Sequence, residues 1–337
     1  MNMLKKIALT AALCGATVLA SMPASAEIKT RIIRFGYGLN EDSLQGRGAR
    51  HFAEQLAKLT NDKHKVRTFG AATLGSDMQM QNALAGGAQE MMVGSTATLV
   101  GLVKEFGVWD LPFLFNNEKE ADAVLDGPFG QKLLDKLAEK DLIGIVYWEN
   151  GFRNLTNTKH PVTKVEDLKG IKLRVMQNPV FLDVFNGVGA NAVPLAFSEL
   201  FSALETKAVD GQENPVTTIE SSKFYEVQKY LSLTKHVYSP WIMMASKSFW
   251  DKLDADEKDA IMKAAISSRE FERKDSREST EKSMVFLKSK GMQINEISPA
   301  ETDRMRAAVK PVLDKVKADL GAATIAELDA EIAKVRK

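Results

Sequence analysis

Lys172-Leu-Arg-Val-Met-Gln-Asn-Pro-Val-Phe181 is the stretch on which the fold turns. Its first four residues alternate polar and apolar at strand length, and Asn178-Pro179 then supplies a cap residue and a proline for a first helical position. A short strand running straight into a helix is the repeating unit of an α/β fold. Arg174 lies within that strand between apolar neighbours. A guanidinium there offers a carboxylate two parallel charge-assisted bonds, and the helix start beside it adds oriented amides and partial positive charge. An anion site is one expectation; an arginine paired with a structural carboxylate is the other.

Outward from this stretch the same unit recurs. Residues 31–38, 66–69, 90–94, 142–148, 154–157, 208–211, 231–233 and 241–244 read as strands by alternation or short apolar runs. Between them, Ser76 with Gln79, Asn117 with Glu120, Thr163 with Glu166, Asp254 with Glu257 and Ser298 with Glu301 have capping-pair spacing, and Asn214-Pro215 repeats the cap-plus-proline start. Strands alternating with helices predict largely parallel sheets, with ligands beyond the carboxyl ends of the strands or in a cleft between lobes.

The first 26 residues read as an export leader. Lys5 and Lys6 precede an uncharged, mostly apolar run, Pro23 breaks it, and Ala24-Ser25-Ala26 offers a small-x-small cleavage pattern. The run is too short and mixed for a membrane span, which takes about 20 apolar residues. Cleavage after Ala26 would leave 43 of the 45 basic residues against 44 acidic ones, and would remove Cys14, the single cysteine of the 337-residue chain. A thiol-free chain exported to the periplasm, with no membrane insertion after cleavage, is expected.

Near-balanced charge speaks against nucleic-acid binding, which usually needs a basic excess. Apolar content of 45% with 26% charged residues is ordinary globular composition. His51, His64, His160 and His236 are scattered, without metal-ligand spacing, and Gly36-Tyr-Gly-Leu-Asn-Glu41 lacks the third glycine of a dinucleotide fingerprint. No nucleophile elbow or phosphate loop is present in the sequence. No cofactor, no metal and no catalytic residue are expected.

Four ordered motifs identify a resemblance. Gly151-Phe-Arg-Asn-Leu-Thr-Asn157, Asp167-Leu-Lys-Gly-Ile-Lys-Leu-Arg-Val175, Val193-Pro-Leu-Ala-Phe-Ser-Glu199 and Val209-Asp-Gly-Gln-Glu-Asn-Pro215 resemble the DctP-type solute-binding proteins of TRAP transporters. Leu74-Gly75 and Asp110-Leu-Pro-Phe113 extend the likeness into the first half. The resemblance implies a two-lobed periplasmic-binding-protein-like fold with a long helix spanning both lobes. It implies a carrier, not an enzyme, which closes on a small organic acid and delivers it to TRAP membrane permease subunits. The expected division is residues 27–150 for the first lobe, 151–240 for the second, and 241–337 for a crossing strand, the long helix and C-terminal helices. A monomer is expected, with the final helical region, 298–337, as the alternative pairing element.

By the same resemblance Arg174 grips the substrate carboxylate, Arg153 is a second arginine in or beside the site, Phe197 packs near the carboxylate, and Asn214 is a cleft asparagine. From the residues themselves, Asn214 also suits a helix cap, Phe197 suits a core, and Arg153 suits an ion pair with Glu149 or Glu213. Gln177, Glu149 and Glu213 are polar candidates, Glu213 as hydroxyl acceptor or arginine partner. Asn40, Glu41, Ser95 and Thr96 follow first-lobe strands where a cleft loop belongs, with turn and capping roles as the alternative. Asp77 reads as a helix-dipole partner, and Trp148 and Trp241 as core or apolar wall. The expected solute is a uronate or related aldonate, with four-carbon dicarboxylates and 2-oxo acids as alternatives. A sugar-acid epimerase or lyase is the rival from another class.

Overall fold

A computed structural model describes residues 28–336; the leader read at residues 1–26, with Cys14 and the cleavage site, lies outside the described residues. Nine strands form one sheet: β1 Arg31–Tyr37, β2 His64–Phe69, β3 Met91–Ser95, β4 Leu142–Asn157, β5 Lys172–Val175, β6 Asn191–Pro194, β7 Gly211–Asn214, β8 Tyr230–Ser246 and β9 Gln293–Glu296. Their order is β2-β1-β3-β8-β4-β7-β5-β6, with β9 beside β8. The outer strands pair in parallel, whereas β3 with β8, β8 with β4 and β4 with β7 pair antiparallel. The sheet is therefore mixed, with parallel wings on an antiparallel centre.

That centre makes two lobes from one sheet. β4 and β8 are 16 and 17 residues long, about three times the usual strand. Residues 241–245 of β8 pair with β3 in the first lobe, and residues 154–157 of β4 pair with β7 in the second. The sequence pattern broke each strand into two pieces, 142–148 with 154–157 and 231–233 with 241–244. Polar residues facing the cleft interrupt the alternation there, and β4 shifts register at three points against β8. Along the first-lobe half of β8 alternation is strict: Ile242 and Met244 enter one apolar core, and Trp241, Met243 and Ala245 enter the other. Each sheet face thus carries a helical layer.

Helix Ala255–Ser289 is 35 residues and unbroken, about 52 Å long. It packs on helix Leu44–Leu59 of the first lobe and on helix Val216–Ser221 of the second. A reciprocal capping box between Asp254 and Glu257 starts it. The same Glu257 carboxylate accepts from Arg31 Nε (2.7 Å) and Nη2 (2.9 Å), and meets His64 Nε2 at 3.1 Å. One fully buried carboxylate therefore fastens the long helix to β1 and β2. The final helical region is two helices, Pro299–Leu320 and Ala322–Val335, turned at Gly321 with φ +98°. The Thr163 start is capped by Asp167 instead of Glu166, its Oδ2 accepting from Thr163 N at 2.8 Å.

Glu257 yields a pH prediction. Burial alone would raise its pKa, but hydrogen bonds from Arg31, the Asp254 amide and His64 outweigh this and hold it at about 2. A folded pKa below the ordinary 4.5 contributes stability present above about pH 4.5 and lost as pH falls toward 2, on the order of 3 kcal/mol. Glu257→Gln should lower the urea midpoint at pH 7 and flatten the loss of stability between about pH 5 and 2.5.

Candidate functional site

Between the lobes lies a cavity of about 630 Å³, its mouth included. Arg153 on β4, Arg174 on β5, Gln177 just beyond it, Phe197 and Ser198 at the start of helix Phe197–Glu205, Asn214 at the end of β7 and Thr218 form the second-lobe wall. Gly38, Gln45, Asp77, Ser95 and Trp241 form the facing wall of the first lobe. Strand ends and helix starts converge here, as the geometry of α/β sheets dictates.

Arg174 is 2% exposed. Its Nε and Nη2 both donate to the Leu195 carbonyl, at 2.9 and 2.7 Å, while its buried Nη1 has no hydrogen-bond partner. That carbonyl takes one edge of the planar group and leaves the Nη1 and Nη2 edge available for a bidentate acceptor. The guanidinium carbon sits 6.0 Å from the centre of the Phe197 ring. Burial, with the charge of Arg153, lowers the Arg174 pKa to about 10 against the pull of Glu213 and Asp77. It remains a cation at neutral pH.

Arg153 is committed on one side. Its Nε and Nη2 grip the Glu213 carboxylate, and Nη2 also donates to Asn214 Oδ1 at 3.1 Å. Its Nη1 is buried and unpartnered, like that of Arg174. His236 Nε2 lies 3.1 Å from Glu213 Oε2, and Thr234 Oγ1 lies 2.8 Å from His236 Nδ1. Burial raises the pKa of Glu213, but the charge of Arg153 and the hydrogen bonds from His236 and Arg153 lower it overall. Glu213 is thus the arginine partner of the two roles open to it, and it lies behind the cavity wall.

Several expected residues lie elsewhere. Glu149 points to the opposite side of the sheet, where its Oε2 accepts from Arg277 Nε (3.0 Å) and Nη2 (2.8 Å). Neighbouring strand residues face opposite ways, and Asn150 borders the cavity in its place. Asn40 spans the lobes at the rim, its Nδ2 donating to the Ser221 carbonyl at 2.6 Å. The exposed Glu41 offers its backbone carbonyl to Arg50. Thr96 is buried behind the strand end and donates to the Pro240 carbonyl at 3.2 Å. Ser95 does line the cavity, as the last residue of β3.

The helix start at Asn178 is also spoken for. Asn178 Oδ1 accepts from Val180 N at 2.7 Å and its Nδ2 donates to Asp110 Oδ2 and the Ala97 carbonyl, so this terminus is capped from within. Asn214, by contrast, caps nothing: its Nδ2 donates to Gln212 Oε1 at 2.6 Å. Trp241 lines the cavity, and Trp148 is core. Asp77 was read as a dipole partner, yet it borders the cavity and accepts from Ser95 N at 2.8 Å through Oδ2. Burial raises its pKa against the Ser95 amide and Arg174. Its position at a helix start right after a first-lobe loop was the available signal.

Residues 35–319 match the family described as bacterial extracellular solute-binding protein, family 7, or DctP. The chain belongs to that family. Its members are solute-binding proteins of TRAP transporters that take small organic acids; they are not enzymes, which sets aside the epimerase or lyase alternative. A sugar acid binding protein of Advenella mimigardefordensis, solved in complex with galactonate, is 54% identical with a TM-score of 0.90, over 91% of this chain and 99% of that one. A TRAP solute-binding protein of Polaromonas bound to D-erythronate is 39% identical with a TM-score of 0.86, over 90% and 99%. The C4-dicarboxylate-binding periplasmic protein of Rhodobacter capsulatus is 34% identical over 96% of this chain and 98% of its own. The two-lobed fold is that of this DctP family. No described helix is long and apolar enough to cross a membrane.

The Arg153–Glu213 pair generates a stability prediction. Both side chains are at most 1% exposed, so removing the carboxylate leaves a buried cation without its counter-charge. Glu213→Ala should cost about 3–5 kcal/mol in urea unfolding at pH 7.

Proposed function

We propose that this protein captures a sugar acid, an aldonate or uronate, and delivers it to the membrane permease of a TRAP transporter. One observation carries the reading: Arg153 and Arg174 border the same interlobe cavity, and each keeps a buried Nη1 without a hydrogen-bond partner among the described residues. Buried donors without acceptors are costly, and a guest carboxylate is the acceptor that both lack. The charge balance favours a single carboxylate. Glu213 is hydrogen-bonded to Arg153, while the hydrogen bonds of Arg174 to described residues go to a backbone carbonyl and its guanidinium lies over the Phe197 face.

Asp77 supports a hydroxylated guest. Its carboxylate stands in the same cavity and would repel a second substrate carboxylate, yet it accepts readily from hydroxyls. Gln177, Ser95, Ser198, Thr218 and Asn214 add further polar groups around the wall. The Advenella and Polaromonas relatives, solved with galactonate and D-erythronate, support the same class. The dicarboxylate-binding relative is less similar. With cleavage after Ala26, a carrier acting as a monomer in the periplasm completes this reading.

Calorimetric titration with galactonate, gluconate, glucuronate, galacturonate, succinate and pyruvate tests it. Binding of aldonates or uronates is expected, and a response to succinate alone would overturn the sugar-acid preference. Arg174→Ala should weaken binding by about 30-fold to several-thousand-fold, equivalent to about 2–5 kcal/mol, with the melting temperature retained. Unchanged affinity in that folded variant would remove Arg174 from the site.

A further inference from the structure

Asn150 alone among the described residues borders both the ligand cavity and the groove on the opposite side of the crossing strands. The register explains how. Glu149 pairs with Pro240 and Gly151 with Ser239, so Asn150 is the extra residue of a β-bulge in β4. Gly151 supports the bulge with φ +106°, a conformation that side-chain-bearing residues rarely adopt.

The bulge also sits where the strand changes lobes. Just before it, Trp148 pairs with Trp241, which in turn pairs with Ser95 of the first lobe. Just after it, Asn154 pairs with Asn214 of the second lobe. Any closure of the lobes would bend β4 and β8 between those pairings, and Asn150 lies in that interval, three residues before Arg153.

Asn150 is 4% exposed, and among the described residues its one side-chain hydrogen bond is that accepted by Oδ1 from Thr218 Oγ1, at 3.2 Å. Its Nδ2 group keeps two donors free of any hydrogen bond among the described residues. We propose that Asn150 is a ligand-reading hinge residue, whose Nδ2 donates to an oxygen of the bound acid and so ties the guest to the bulge about which the lobes close. This rests on the reading of the cavity as an acid site and adds a binding residue to it. A ligand held by Arg174 on one strand and by the hinge itself on another resists reopening without any contact to a separate lid.

Two variants test it, each titrated with whichever acid binds the parent protein most tightly. Asn150→Ala removes both ends of the amide. Asn150→Asp keeps an acceptor for Thr218 but replaces the donor. Both are expected to weaken binding by about 10- to 100-fold. In X-ray scattering, the compaction on saturation with acid is expected to shrink in Asn150→Ala. Affinities within twofold of the parent in both variants overturn the proposal. Wild-type affinity in Asn150→Asp with a loss only in Asn150→Ala also overturns it, because the residue then acts through Thr218 alone. A full wild-type compaction in saturated Asn150→Ala overturns the hinge role. Should Asn150→Ala melt early, the isosteric Asn150→Asp still decides the donor role. Failure of the acid reading itself would appear in the parent's titrations, before any variant is made.

Discussion

Two guanidinium groups bordering one cavity repel each other, and the site is organised around that repulsion. Glu213 answers it for Arg153, braced from behind by His236 and Thr234. Among the described residues, nothing of opposite charge is bonded to Arg174, whose hydrogen bonds go to the Leu195 carbonyl. The arginines are left with two unspent buried donors. On the reading proposed above, an arriving carboxylate would complete an arrangement that the protein alone leaves unfinished and concentrate binding energy on one functional group.

On the opposite side of the crossing strands the arginines find counter-charges within the chain. There Arg273 pairs with Asp126 and Asp122, and Arg277 with Asp122 and Glu149. These pairs bind the long helix to helix Glu118–Leu125 and to β4, so every guanidinium has a carboxylate within the chain. Arg273 and Arg277 are raised in pKa by those carboxylates against the opposing effect of burial. Arg174 is lowered by burial with too little to oppose it. The contrast separates arginines that hold the structure together from the one proposed here to meet a guest.

Much of the architecture was readable because it is local. Alternation marked most strands, and the Asp254–Glu257 pair marked the start of the long helix where it occurs. The crossing strands were read as fragments, since their bulges and cleft-facing polar residues break the period that defines a strand. The same bulge explains the confusion between Glu149 and Asn150. One extra residue changes which neighbour faces the cavity, and no local pattern announces it. Asp77 was passed over because a carboxylate at a helix start has an ordinary explanation that requires no ligand.

From the amino-acid order alone came the α/β alternation, the family resemblance, the export leader as an expectation, and Arg174 on a strand near the cleft. Tertiary structure decided which carboxylate meets Arg153, which face Glu149 takes, and that Asn178 spends its helix terminus internally. These outcomes depend on partners distant in sequence: 60 residues separate Arg153 from Glu213, and 68 separate Asn178 from Asp110. Propensity and spacing act over a few residues, whereas such pairings are set when β4 and β8 pack across both lobes and bring those groups into one buried space.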